Sequence, residues 1–132
     1  MNINDVYAFL KKCGTYYLAT VDGDQARVRP FGTILLFEDK LYFQTGKVKP
    51  VFAQLMAEPK VELSASVGGE WIRVTATAVR DERREPKAAL LDEYPALKGA
   101  YDPDDGNCEV FYLKDVTAVF ASFTAKPRTV TF

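Results

Sequence analysis

The 132-residue sequence predicts a mainly β fold, a closed antiparallel barrel trimmed with short helices. Three observations carry that expectation. Seven or so runs rich in β-branched and aromatic residues are separated by turn signals, the alternation from Glu70 to Arg80 has a strict period of two, and only three short stretches switch to helical spacing. A plain β-sandwich is the fold-level alternative. With 48% apolar and 27% charged residues, the chain reads as a single domain spanning residues 1–132. A chain of this size buries roughly two-thirds of its unfolded surface, which supports one core and leaves little room for a deep private pocket. A sizeable ligand is therefore expected at a surface cleft or between subunits.

After Asn4, Val6, Phe9, Leu10 and Cys13 form an i, i+3, i+4, i+7 stripe, and Gly14 supplies a helix stop. Strand signals follow at Tyr16 to Val21 and Ala26 to Phe31, joined by Asp22-Gly23. Pro30 cannot donate to a ladder, so its strand is expected to be an edge, bulged or bent there. Thr33 to Phe37, the Glu38-Asp39-Lys40 turn and Leu41 to Thr45 make the next hairpin. Val51, Phe52, Leu55 and Met56 then recur at helical spacing, with Pro50 at a first helical position and Pro59 beyond the end. Strands resume at Lys60 to Val67 and, after Gly68-Gly69, at Glu70 to Arg80. There Trp71, Arg73, Thr75 and Thr77 face one way and Ile72, Val74, Ala76 and Ala78 the other. Pro86 to Tyr94 reads as a further helix, Asp102 to Asn107 as a loop, and Cys108 to Leu113 and Val116 to Phe123 as two strands joined at Lys114-Asp115.

Composition narrows the chemistry. The chain has no histidine, which removes Ser-His-Asp triads, His-based zinc sites and a His general base. Acid–base work falls to carboxylates, Lys and Tyr. With 17 basic and 18 acidic residues the net charge is −1, so no global field draws the chain to nucleic acid or anionic lipid. No apolar run approaches the about 20 residues of a membrane helix, and Met1 to Asp5 lacks a charged leader region. Cys13 and Cys108 form no CxxC pair, which suits a reducing cytoplasm without a disulfide. Cys13 sits on an apolar stripe and reads as a packed thiol. Asp102 to Asn107 lacks the spacing and terminal Glu of a calcium loop, so no metal is expected.

Three constellations could carry function. Phe43 to Pro50 joins a strand end to a helix start and sets Thr45, Gly46, Lys47 and Lys49 beside the helix's unpaired N–H groups, a combination that suits a phosphate monoester. Solvated loops also use Thr-Gly turns followed by lysines, and the GxxxxGK[ST] spacing of a P-loop is missing. Arg27 and Arg29 share a face of a strand expected to lie beside Leu41 to Thr45, from which Arg29 would reach the same phosphate; strand arginines also serve simply to cover an exposed face. Trp71 and Arg73 offer a flat ring and a planar cation that could border an aromatic ligand, or a core or interface contact.

In order along the chain, Tyr17-Leu18-Ala19-Thr20-Val21, Arg27 to Gly32, Leu41 to Thr45 with Lys49 and Gln54-Leu55, Glu58 to Glu62, and Trp71 to Val74 resemble the small pyridoxamine 5′-phosphate oxidase-like, FMN-binding split-barrel family. The resemblance spans nearly the whole chain. It implies a six-stranded antiparallel split β-barrel that forms a homodimer, with FMN in grooves at the subunit interface. It further implies that Arg29 and Lys49 pair with the FMN phosphate and that Thr45 and Gly46 donate to it. Pro30, Phe31 and Phe43 would form the surface along the isoalloxazine, Gln54 would assist from the helix, and Trp71 and Arg73 would sit at the rim, from the same or the other subunit.

The sequence departs from the family where it bears on activity. Pyridoxamine-phosphate oxidases grip the vitamer with an Arg-x-His element near the C-terminus, whereas this chain ends Lys126-Pro127-Arg128-Thr129-Val130-Thr131-Phe132. Vitamin B6 oxidation is not expected. Hydride chemistry belongs to a flavin itself, so the missing histidine leaves reductase activity open. The expectation is an FMN-dependent oxidoreductase acting on a small molecule in the cytoplasm. The alternative is a non-catalytic module holding a flavin or another flat ligand. Haem fits least well, because without histidine only Cys or Tyr could be its proximal ligand.

Overall fold

A computed structural model describes residues 1–132. Helix α1 (Ile3–Cys13) starts earlier than the apolar stripe alone indicates. The Asn2 side chain accepts the Asn4 N–H at 2.9 Å and the Asp5 carboxylate accepts the Asn2 N–H at 2.8 Å, a reciprocal cap that sets the first turn. Gly14 closes the helix at φ 78°. Strands β1 (Tyr16–Asp22) and β2 (Gln25–Phe31) form a hairpin, as do β3 (Leu35–Phe37) and β4 (Lys40–Gly46). Helix α2 (Pro50–Ala57) begins with Pro50 in its first turn. Then come β5 (Lys60–Val67), β6 (Glu70–Asp81), α3 (Arg84–Glu93), a 3-10 turn at Pro95–Gly99, β7 (Cys108–Ser122) and β8 (Arg128–Thr131).

All strand pairs are antiparallel, in the order β2-β1-β5-β6-β7-β4-β3, with β8 added to β7. The ladder does not close. Strands β2 and β3 are its two edges, so the molecule is a split barrel rather than the continuous one that periodicity predicts. The chain itself crosses the split. Tyr16 Oη donates to Thr33 O at 2.7 Å, the Gln44 N–H donates to Thr33 Oγ1 at 3.0 Å, and the Phe31 ring meets Phe43 edge-on at 5.5 Å. Thr33 and Ile34 are thus a bridge and not the start of β3.

Three further expectations change. The arginine strand β2 pairs with β1 alone and does not lie beside β4, because the tight Asp22-Gly23 turn leaves it at the sheet edge, where Pro30 is tolerated. Cys108 to Ser122 is one continuous strand, not two. Between Thr75 and Thr77 on β6 the partner moves from Thr117 to Lys114, so β7 carries one extra residue, with Asp115 at φ 53°. The Lys114-Asp115 signal marks a bulge instead of a turn. Finally, the resemblance implies six strands and the fold has eight, of which β3 and β8 are the shortest at three and four residues.

One core lies inside the barrel. Leu18, Leu41, Phe43, Leu63, Ile72, Val74 and Phe111 are buried there, and α1 and α2 add Val6, Leu10, Val51 and Leu55. A smaller cluster on the far side of β4 packs Tyr42 against Leu90 of α3. Helix α3 is pinned at its entrance: Tyr42 Oη and Arg83 Nη2 donate to Asp81 Oδ2 at 2.8 and 2.9 Å, and Arg83 also reaches Glu38. Arg83, with help from the Tyr42 hydroxyl, holds the Asp81 carboxyl below its ordinary value of 3.8, while burial and Asp81 push the Tyr42 phenol up to about 12.

Because the folded Asp81 value is depressed, its contribution to stability is present above the unfolded value and lost as pH falls through the folded one. We predict that Asp81→Asn lowers the urea midpoint at neutral pH and that the gap from the parent narrows below about pH 4. A gap independent of pH would refute the linkage.

Candidate functional site

The split opens onto a groove of about 570 Å³. One wall is the end of β2 with Arg29, Pro30 and Phe31; the floor is Thr45 and the entrance to α2 at Lys49 and Val51. The opposite wall is the end of α3 and the 3-10 turn, with Glu93, Tyr94, Pro95, Ala96 and Leu97, and Tyr101 beyond them. Glu93 and Tyr94 are held from α1: Tyr7 Oη and Lys11 Nζ donate to Glu93 Oε2 at 2.8 and 3.1 Å, and Lys11 Nζ donates to Tyr94 Oη at 3.2 Å. Tyr94 Oη also exchanges hydrogen bonds with the Ile34 N–H and carbonyl, so this wall is tied to the bridge across the split.

Arg29 is half-buried, and all its acceptors are neutral. Its Nη1 donates to Leu18 O at 3.1 Å and Thr20 Oγ1 at 2.8 Å, and its Nη2 donates to Gln54 Oε1 at 2.7 Å. The Thr20 hydroxyl in turn donates to the same Gln54 oxygen at 2.6 Å. These contacts fix the guanidinium without neutralising it. Other arginines have carboxylates, as Arg27 has Asp22 at 3.0 Å and Arg80 has Glu109 at 2.9 Å. Burial and the nearby Arg27 charge both lower the Arg29 pKa. A partly desolvated cation without a counter-ion is a receptor for an anion.

The turn that delivers Lys49 is built differently from the expectation. The Lys47 N–H donates to Asn107 O at 2.8 Å, the Val48 N–H to Asn107 Oδ1 at 3.2 Å and the Lys49 N–H to Gly46 O at 3.0 Å. Those three turn amides are spent inside the protein, so within the turn itself the attraction for an anion rests on the lysine side chains. The close approach at Gly46 is to Tyr101 and Asn107. A Cβ there would stand 3.0 Å from Tyr101 Oη and 3.4 Å from Asn107 Nδ2. Beneath the turn, Arg80 binds the buried Glu109 through two hydrogen bonds, and its guanidinium lies 5.2 Å from the Phe52 ring centre. That arrangement couples β6, β7 and α2.

Of the ten residues singled out in the sequence, Arg29, Pro30, Phe31, Thr45 and Lys49 line the groove. Gln54 stands behind Arg29, and Gly46 lies behind Tyr101. Phe43 does not face the groove, because its ring is buried in the barrel between Phe31 and Phe111, stacked on the latter at 5.7 Å. Trp71 and Arg73 lie on the outer face of β6, Trp71 against Phe123 at 5.0 Å and Arg73 within 3.9 Å of Glu62, and neither lines the groove. Sequence reasoning missed the Glu93 to Tyr101 wall, whose only signals are a tyrosine before Pro95 and another close to Pro103. Neither thiol lines the groove; Cys13 packs against the core, and burial pushes Cys108 up to about 11.

We predict that Asn107→Ala speeds hydrogen exchange at the Val48 amide, leaves Lys47 protected by its main-chain acceptor, and costs about 1 kcal/mol in urea unfolding. Unchanged exchange at Val48 would refute the role of the side chain.

Residues 4–122 match the pyridoxamine 5′-phosphate oxidase family. Among solved structures, a NimC/NimA family protein from Clostridium acetobutylicum is 39% identical, with a TM-score of 0.96 over 99% of this chain and 92% of that one. General stress protein 26 from Bacillus anthracis superposes at a TM-score of 0.76 over the full length of both chains with 17% identity. HutZ, a haem storage protein from Vibrio cholerae, shares the fold at a TM-score of 0.67 and 15% identity, over 86% of this chain and 90% of its own. Among curated proteins none matches the chain. The split ladder, the groove at the split and the match over most of the sequence agree: the chain belongs to the pyridoxamine 5′-phosphate oxidase family.

Proposed function

We propose that the chain is an FMN-binding flavoprotein, working as a cytoplasmic homodimer that transfers electrons to a small molecule. The observation that carries this reading is Arg29, a guanidinium fixed by three neutral acceptors and lacking a carboxylate, with Lys49 on the same groove. A phosphate ester supplies the charge this pair lacks. The groove's size and its Phe31, Pro30 and Tyr94 lining suit a flat heterocycle attached to that ester. When bound, flavin supplies the hydride and electron chemistry. The chain's own part is to orient it: Arg29 and Lys49 hold the phosphate, Gln54 and Thr20 keep Arg29 in place, and Phe31 bounds the ring.

The dimer is supported by an outer sheet face that no helix covers. Tyr17, Val28 and Val21 are exposed there at 53, 66 and 39%, Tyr17 opposite Pro30 and the two valines further along toward the β1–β2 turn. A second copy on this face would give Trp71 and Arg73 a route to the partner's groove.

A second reading, a holder of a flat ligand without turnover, is favoured by one observation. The groove displays tyrosines and a glutamate already tied to a lysine, but no histidine. For haem, the fold likeness to HutZ is joined here only by the Tyr94 and Tyr101 phenols as groove-side ligands.

We expect the purified protein to be yellow or to take up FMN, and to elute at twice the 14.8 kDa of one chain. Lys49→Ala or Arg29→Ala should weaken FMN by roughly 1.5–3 kcal/mol in a fluorescence titration, the scale of a lost charge-assisted bond. Unchanged affinity in both variants would remove the phosphate assignment. Anaerobic bleaching by a reduced nicotinamide followed by acceptor-dependent recovery supports the enzyme; a bound flavin that no donor bleaches supports the holder.

A further inference from the structure

Arg29 and Lys49 border two depressions, not one. Outside the groove they also line an open recess of about 480 Å³ with Asp22, Arg27, Pro50 and Gln54. Arg27 and Arg29 stand two residues apart on one face of β2, and Lys49 faces them from the start of α2. The recess has a single carboxylate, Asp22, which accepts from Arg27 Nε at 3.0 Å across the β1–β2 turn. Three cations against one anion leave a formal charge of 3 − 1 = +2 on a patch of a chain whose net charge is −1.

The placement of that charge is informative. Arg29 and Lys49 alone match a compact terminal phosphate. Arg27 extends the row along β2, away from the groove and toward solvent, and its proximity disfavours the charged form of Arg29. An anion lying between the two guanidinium groups relieves that repulsion. A terminal monoester concentrates its charge on one phosphoryl group, whereas a diphosphate diester spreads it over two linked groups, as the cations are spread here. Because the recess is open, whatever is attached beyond the second phosphoryl group can extend into water.

We infer that the recess is a second phosphoryl subsite, so that the groove and recess together take a flavin carrying a diphosphate, the chemistry of a flavin dinucleotide. This rests on the flavin reading above and adds Arg27 to the residues that recognise the ligand. The experiment titrates FMN, FAD, inorganic phosphate and inorganic pyrophosphate against the parent and Arg27→Ala. The expected result is FAD bound at least as tightly as FMN, with Arg27→Ala weakening FAD about tenfold and FMN less than threefold. Binding of FMN with FAD tenfold weaker, or an Arg27→Ala effect equal on both, overturns the inference and leaves the FMN reading intact. If neither flavin binds, the flavin reading fails and pyrophosphate decides the subsite alone. Pyrophosphate that binds more tightly than phosphate and loses that advantage in Arg27→Ala supports it, and equal or absent binding overturns it. Arg27→Lys, which keeps the charge, should restore most of the FAD affinity, and a circular dichroism melt matching the parent checks that the variants fold.

Discussion

The fold and the site both depend on how Arg29 is held. Its guanidinium ties β2 to β1 through Leu18 O and Thr20 Oγ1, and ties both to α2 through Gln54. Strand β2 has no ladder on its outer side, so these side-chain bonds take over part of what a second strand would do. Because every acceptor is neutral, the same bonds that fasten the edge leave a positive charge in place. A carboxylate at position 54 would fasten β2 more strongly and cancel the attraction for an anion. Glutamine supplies the geometry without the charge.

The remaining structure works to keep the two sides of the split at a fixed separation. Tyr16, Thr33 and Gln44 bind across it, and Tyr94 grips both polar groups of Ile34 from the opposite wall. The Lys49 turn is clamped from a third direction by Asn107, whose own amide is held by Asp105 at 2.8 Å. The acidic loop, unremarkable as a metal site, therefore serves as scaffolding for the cationic turn. Three segments distant in sequence thus converge on the gap.

Much of this was readable in the chain and some of it was not, for physical reasons. The strict alternation in β6 and the Pro50 start of α2 are local signals, and the structure follows them closely. Which strand lies beside β2 is set by long-range pairing, which residue types two positions apart do not encode; the arginine strand accordingly reaches Lys49 through α2 and not through β4. Phe43 shows the same limit. Both faces of β4 are covered, one by the barrel core and the other by α3, so its sequence lacks the polar alternation that would say which aromatic looks inward. The bulge at Asp115 was visible as a break but not as to kind, since a short polar pair serves a turn or an extra residue equally. The Glu93 to Tyr101 wall has no period at all, and a 3-10 turn bounded by proline leaves no pattern to find.

The unpaired border of β2 has one more consequence. An exposed strand edge is a template on which another chain can zip, and that is how many β proteins begin to aggregate. Here the border carries Pro30, which lacks a backbone donor, and two arginines that would face each other in an antiparallel pairing of two β2 strands centred on Val28. The barrel thus stays ajar at β2 with a border that is a poor template for a neighbouring strand.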